Sequence, residues 1–204
     1  MKQKTIVGNA AIIVVDIFES DFSEEREFSE AIPSMKGNVQ RMKQAAKFIK
    51  KGRKEGLPII VIHEVHREDN IDFGRELDGS EGIHCIEDPN NSQLPIKGIG
   101  MTKEDYVVYK RRYSAFFSTD LEILLKGLQV DTLILVGGMT DVCIHYTFVD
   151  GHQKDYYCRV LEDCVSGTSI KAHKGALNAM EYLQEGAVLS SKQMIKKITK
   201  NKKK

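Results

Sequence analysis

Continuous apolar runs, recurring between helix-patterned stretches, constrain this chain more than any other feature. Ala10-Ala-Ile-Ile-Val-Val15, Leu57-Pro-Ile-Ile-Val-Ile62 and Thr132-Leu-Ile-Leu-Val136 lack the polar alternation of a half-exposed strand. Strands built from them must be covered on both faces, which is the condition of a parallel sheet. Tyr106 to Tyr109, Tyr156 to Leu161 and Ala187 to Leu189 read as further strands. Between them, apolar residues at helical spacing predict helices over Met35–Lys54, Thr119–Lys126, Thr140–Gln153 and Ser169–Glu185, most closed by a glycine. The order implies an α/β fold: a three-layer, doubly wound, mostly parallel sheet of about six strands, Rossmann-like, with helices on both faces. Ligands of such folds sit beyond the carboxyl ends of the strands, where strand order reverses.

Composition narrows the classes. With 204 residues, 41% hydrophobic and 29% charged, the chain is sized for a single domain, expected over 1–190. The remainder, 191–204, carries seven lysines and no acid and is expected to be a solvated, frayed tail. Taking those seven from the 30 lysines and arginines leaves 23 against 29 acidic residues, so the acidic body argues against nucleic acid as a partner. No apolar run reaches the ~20 residues of a membrane span and no secretory leader is evident, so a cytoplasmic protein without membrane association is expected. In that setting Cys85, Cys143, Cys158 and Cys164, with no CxxC pair, read as free thiols. The formal glycosylation sequon Asn90-Asn-Ser92 carries no meaning there.

Three strands end on chemically capable residues. The first ends on Asp16, the Tyr106 strand on Lys110, and the Leu133 strand passes through Gly137-Gly138 into a helix with Cys143 in its first turn. An Asp at a strand end is commonly a turn residue, a Lys a surface charge and a Cys core filler. Their coincidence at the ligand-binding edge of one sheet points to chemistry. A thiol at a helix N-terminus beside an ammonium is a nucleophile, a carboxylate can take its proton, and helix-start amides can hold an oxyanion.

Val14-Val-Asp16, Lys110-Arg-Arg-Tyr-Ser-Ala-Phe116 and Gly137-Gly-Met-Thr-Asp-Val-Cys143, followed by Val160-Leu-Glu-Asp163 and Cys164, resemble the isochorismatase-like cysteine hydrolases over roughly Asn9 to Leu189. The resemblance implies a catalytic triad of Asp16, Lys110 and Cys143, a cis peptide between Gly138 and Met139, and an oxyanion hole from the amides of Met139 and Cys143. Retention of the cysteine implies hydrolysis of a C–N bond through an acyl-enzyme rather than vinyl-ether chemistry. Glu64-Val-His66 and His84-Cys85 stand where nicotinamidases of the family place an Asp-x-His and a later His, so a zinc, manganese or iron ion on Glu64, His66 and His84 is one implication, departing from the family in the longer Glu64. The wider loop, with Asp72-Phe-Gly-Arg-Glu-Leu-Asp78, resembles more closely the metal-free relatives that act on ureido and carbamoyl compounds. Arg67, Arg75 and Arg112 are candidates to grip a carboxylate or carbonyl of such a substrate, and Phe18 to line the pocket.

The leading expectation is therefore a cysteine amidohydrolase for a small amide or ureido substrate with no required cofactor. The alternatives are a metal-containing nicotinamidase and, in a different class, a catalytically inactive binding protein of the same fold. A homo-oligomer is expected, as is common in the family.

Overall fold

A computed structural model describes residues 4–23, 32–87 and 94–201. The sequon and the last three residues of the tail lie outside them. Six strands form one sheet: β1 (Asn9–Val15), β2 (Ile59–Glu64), β3 (Tyr106–Lys110), β4 (Val130–Gly138), β5 (Tyr157–Ser166) and β6 (Val188–Leu189). Their order is β3-β2-β1-β4-β5-β6, and every pairing is parallel. The reversal of strand order therefore falls between β1 and β4.

The helices are α1 (Asn38–Lys54), α2 (Leu121–Gly127), α3 (Cys143–Gln153), α4 (Ile170–Leu183) and α5 (Ser191–Asn201). The period-2 geometry of a strand divides the apolar runs between two cores. Ala11, Ile13 and Val15 of β1 face a cluster with Leu125 of α2, Phe148 of α3 and Met180 of α4. Ala10, Ile12 and Val14 face the opposite cluster with Met42, Phe48 and Ile49 of α1. Covering both faces is what makes an uninterrupted apolar run stable as a strand.

Two expected boundaries shift for local reasons. α1 begins at Asn38 rather than Met35, because Gly37 at φ +87° breaks the helical path. α3 begins at Cys143 rather than Thr140, because residues 140–142 form a turn in which the amides of Val142 and Ile144 both donate to Met139 O.

The tail departs most from expectation. Ser191–Asn201 is a helix rather than a solvated, frayed terminus. Met194 and Ile198, four apart, are buried in the α1-side core, while Asp163 accepts from the Ser191 amide and hydroxyl at 2.7 Å each. The lysines drew attention away from this apolar stripe, which is one helix face wide. Among the described residues no helix is long and apolar enough to cross a membrane.

Candidate active site

The sheet topology assembles the site. Strand β1 ends at Val15, paired with Gly137, so Asp16 stands beside the Gly137–Gly138 turn. Strand β2 ends at Glu64 and β3 at Lys110, and the register pairs these two residues directly. Adjacent parallel strands in register project paired side chains to the same face, so Glu64 and Lys110 meet at the level of Asp16.

Lys110 is 1% exposed and is held by two carboxylates: Asp16 Oδ2 at 2.8 Å and Glu64 Oε2 at 2.7 Å. Its Nζ also lies 3.4 Å from Cys143 Sγ. Ligand atoms of Asp16, Glu64 and Cys143 all fall within 4.8 Å of one another, and Sγ is 3.8 Å from Glu64 Oε2. The residues anticipated at three separate strand ends thus share one site, together with Glu64, whose contact with Lys110 was not anticipated.

Electrostatics follow from burial with too few positive charges. Burial pushes the Asp16 carboxyl up to about 6, opposed by the Lys110 charge and reinforced by Glu64. Burial also pushes the Cys143 thiol well above the usual range, and the pull of Lys110 is offset by the two carboxylates. The sequence suggested that Lys110 and the helix start would lower this pKa. Instead, Lys110 is already neutralised twice over by Asp16 and Glu64, and the Cys143 thiol is held toward its protonated form.

The turn after β4 brings the start of α3 to the site. Gly137 has φ +117°, and a Cβ there would sit 2.0 Å from Val15 O, so only glycine fits against β1. The Gly138–Met139 peptide is cis. Cys143 is the first residue of α3, where backbone N–H groups have no acceptor within the helix. The turn is pinned by Thr140, whose amide donates to Ser166 O at 2.7 Å and whose hydroxyl pairs with His173 Nδ1 at 2.9 Å. Asp141 accepts from the Thr168 amide and hydroxyl.

A second cluster adjoins the first through Glu64. Its other oxygen, Oε1, lies 3.3 Å from His66 Nε2 and 3.8 Å from His84 Nε2. Glu76, which the sequence did not single out, places Oε2 3.2 Å from His66 Nε2. Ligand atoms of Glu64, His66, Glu76 and His84 lie within 4.8 Å of one another, and all four residues are buried. His84 Nδ1 bonds Gly82 O at 2.7 Å, which as N–H to carbonyl leaves the Nε2 lone pair directed at the cluster. His66 stacks on Phe73 with centroids 3.9 Å apart, fixing its plane. Hydrogen bonds to Glu64 and Glu76 raise the His66 imidazole to about 9 against its burial.

The cavity over Cys143 has Phe18, Met42, Tyr113, Met139 and Val142 among its walls. The three candidate arginines lie elsewhere. Arg67 is exposed, the Arg75 side chain is 93% exposed and pairs with Asp78, and Arg112 donates to Asp72 O. With Arg111, which donates to Val65 O and pairs with Asp72 at 3.0 Å, Arg112 fastens the loop after β2 instead of reaching into the cavity.

Residues 10–194 match the family model of the isochorismatase domain. The chain belongs to the isochorismatase family. Its members include an uncharacterized protein of Bacillus subtilis, YaaI, 30% identical over 50% of this chain and 56% of the relative, so that the match spans about half of each. A probable inactive nicotinamidase of Arabidopsis thaliana is 28% identical over 86% of this chain and 89% of its own length. Among solved structures, N-carbamoylsarcosine amidase from Thermoplasma acidophilum superposes with a TM-score of 0.71 at 25% identity, covering 90% of this chain and 97% of that one. This isochorismatase-family protein therefore has hydrolase relatives and the same three-layer α/β architecture.

Proposed function

We propose that this protein is a cysteine amidohydrolase that cleaves the C–N bond of a small amide or ureido compound. The observation that carries the reading is the meeting of Asp16, Lys110 and Cys143 around one buried ammonium, beneath a cavity that opens over the thiol. The family membership and the amidase relative support it. All three reactive residues are present, which favours an enzyme over an inactive binding protein.

In this mechanism the Cys143 proton passes to ionised Asp16 as sulfur attacks the carbonyl carbon. Lys110 offsets the charge that leaves Asp16 and accumulates on sulfur, and the amides of Met139 and Cys143 hold the oxyanion. The tetrahedral adduct collapses to a thioester, and the amine or ammonia leaves with the proton from Asp16. Water then attacks the thioester, Asp16 takes a proton from it, and Cys143 departs as a thiol. Coupling proton transfer to attack suits a thiol that is neutral at rest. The test is ammonia release from a panel of nicotinamide, pyrazinamide, biuret and N-carbamoyl compounds. Turnover of at least one, lost in Cys143→Ala, is expected; turnover retained in that variant would overturn the assignment.

One observation favours a second, metal-linked reading. Both carboxylate oxygens of Glu76 are buried beside two imidazoles and Glu64; Oε1 has no hydrogen bond, and Oε2 meets only His66 Nε2 at 3.2 Å among the described residues. Two nitrogens and two carboxylates fit zinc, manganese or iron, and Asp72 Oδ1 at 3.5 Å from His66 Nδ1 is placed as an outer partner. Glu64, His66, Glu76 and His84 would hold the ion. A bound divalent cation there supplies a Lewis acid for a substrate heteroatom or carbonyl. Glu64 would both help to hold the ion and orient Lys110, whose Nζ lies 2.7 Å from its Oε2. Elemental analysis of protein purified without chelator should find near one metal per chain; none would remove this reading and leave the cysteine chemistry intact.

A further inference from the structure

The walls of the Cys143 cavity are acidic. Among the described residues lining it, the carboxylates are Asp16, Asp21, Glu64 and Glu81, His84 is the sole imidazole, and there is no lysine or arginine. Three of the four carboxylates are engaged. Asp16 and Glu64 grip Lys110, and Asp21 accepts from the Phe18 amide at 2.8 Å and from Asn38 at 3.4 Å. Glu81 differs. It is half-buried in the wall, Tyr113 donates to its Oε2 at 3.4 Å, and among the described residues no lysine or arginine forms an ion pair with it.

Five carboxylates, counting Glu76, stand around Lys110 and two imidazoles. Acidic side chains therefore outnumber basic ones around the cavity, and a low-dielectric cavity focuses that field on whatever enters.

We propose that the cavity admits amides whose far end is a cationic amine, anchored by Glu81 beside Tyr113, and rejects amides ending in a carboxylate. The inference rests on the amidase reading only for Cys143 as the bond-breaking centre; the selection itself is a property of the walls. It also explains why the three arginines expected to grip a carboxylate stand outside.

The test has two arms. In the first, Cys143 of the intact protein is alkylated with three near-isosteric reagents: bromoethylamine, bromoacetamide and bromoacetate. Modification of the Cys143 peptide is followed by mass spectrometry, and each rate is divided by that of a small free thiol. The normalised rates should fall in the order given, with roughly tenfold or more between the cation and the anion, and Glu81→Gln should narrow that spread severalfold. Equal rates, or a faster anion, would overturn the inference, and an unchanged spread in Glu81→Gln would overturn the part given to Glu81. In the second arm, ammonia release is compared for β-alaninamide, butyramide and succinamate. The cationic amide should have the highest kcat/KM and succinamate the lowest. Succinamate as the best substrate would overturn the selection and leave the amidase reading standing. No ammonia from any of the three, with the labelling order as expected, would count against the amidase reading alone.

Discussion

At the scale of single residues, the centre is organised by Lys110, a fully buried ammonium between two carboxylates and a thiol. Breaking a buried ion pair from one side leaves the other charges uncompensated. Lys110→Met should therefore cost about 3–5 kcal/mol of unfolding free energy, measurable by urea titration at neutral pH, and should abolish turnover. A cost below about 1 kcal/mol would mean that the two carboxylates take up protons or are solvated. In the proposed mechanism Asp16 sets the pH dependence: burial pushes its carboxyl up to about 6, and it must be ionised to accept the thiol proton. The kcat/KM should be flat above that value and fall about tenfold per pH unit below it, since this ratio reports the free enzyme. A profile flat down to pH 4 would remove Asp16 as the base. Of these residues, Asp16, Lys110 and Cys143 were legible in the sequence because each ends a strand or begins a helix, positions that a pattern fixes. Glu76 and Glu81 were not, because they lie in a long loop without periodicity, where only the folded chain brings them to His66 or to the cavity.

At the scale of elements, the β4–α3 junction carries the geometry. Gly137 closes against Val15 of β1, and no side chain fits there. Gly137→Ala should destabilise by about 3 kcal/mol or more, through both the positive φ and the clash with the Val15 carbonyl, read as a lowered thermal midpoint with loss of activity. A variant of wild-type stability would show that β1 and β4 can separate at this end without penalty. Helical and strand periods located ten of the eleven elements, because each buries a stripe or a run that its neighbours cover. α5 escaped because seven lysines in 191–204 weigh more in composition than Met194 and Ile198, two residues that nonetheless sit in the core.

At the scale of the whole molecule, the parallel order β3-β2-β1-β4-β5-β6 is what gathers residues 16, 64, 110 and 143, separated by up to 127 positions, into one site. Fold class and the location of the site follow from strand alternation and the switch point. Substrate preference does not, because it depends on which loop side chains face inward. Of the arginines that looked suited to a carboxylate, Arg112 fastens the loop while Arg67 and Arg75 are exposed, and the cavity is left to acids. The proposed mechanism runs through an acyl-enzyme on Cys143, which hydroxylamine can trap. With any amide that the protein turns over, hydroxylamine should intercept the thioester and yield the hydroxamate, at a rate that partitions against hydrolysis, and Cys143→Ala should yield neither product. Hydroxamate or acid formed at an undiminished rate by Cys143→Ala would rule out the thioester on this residue.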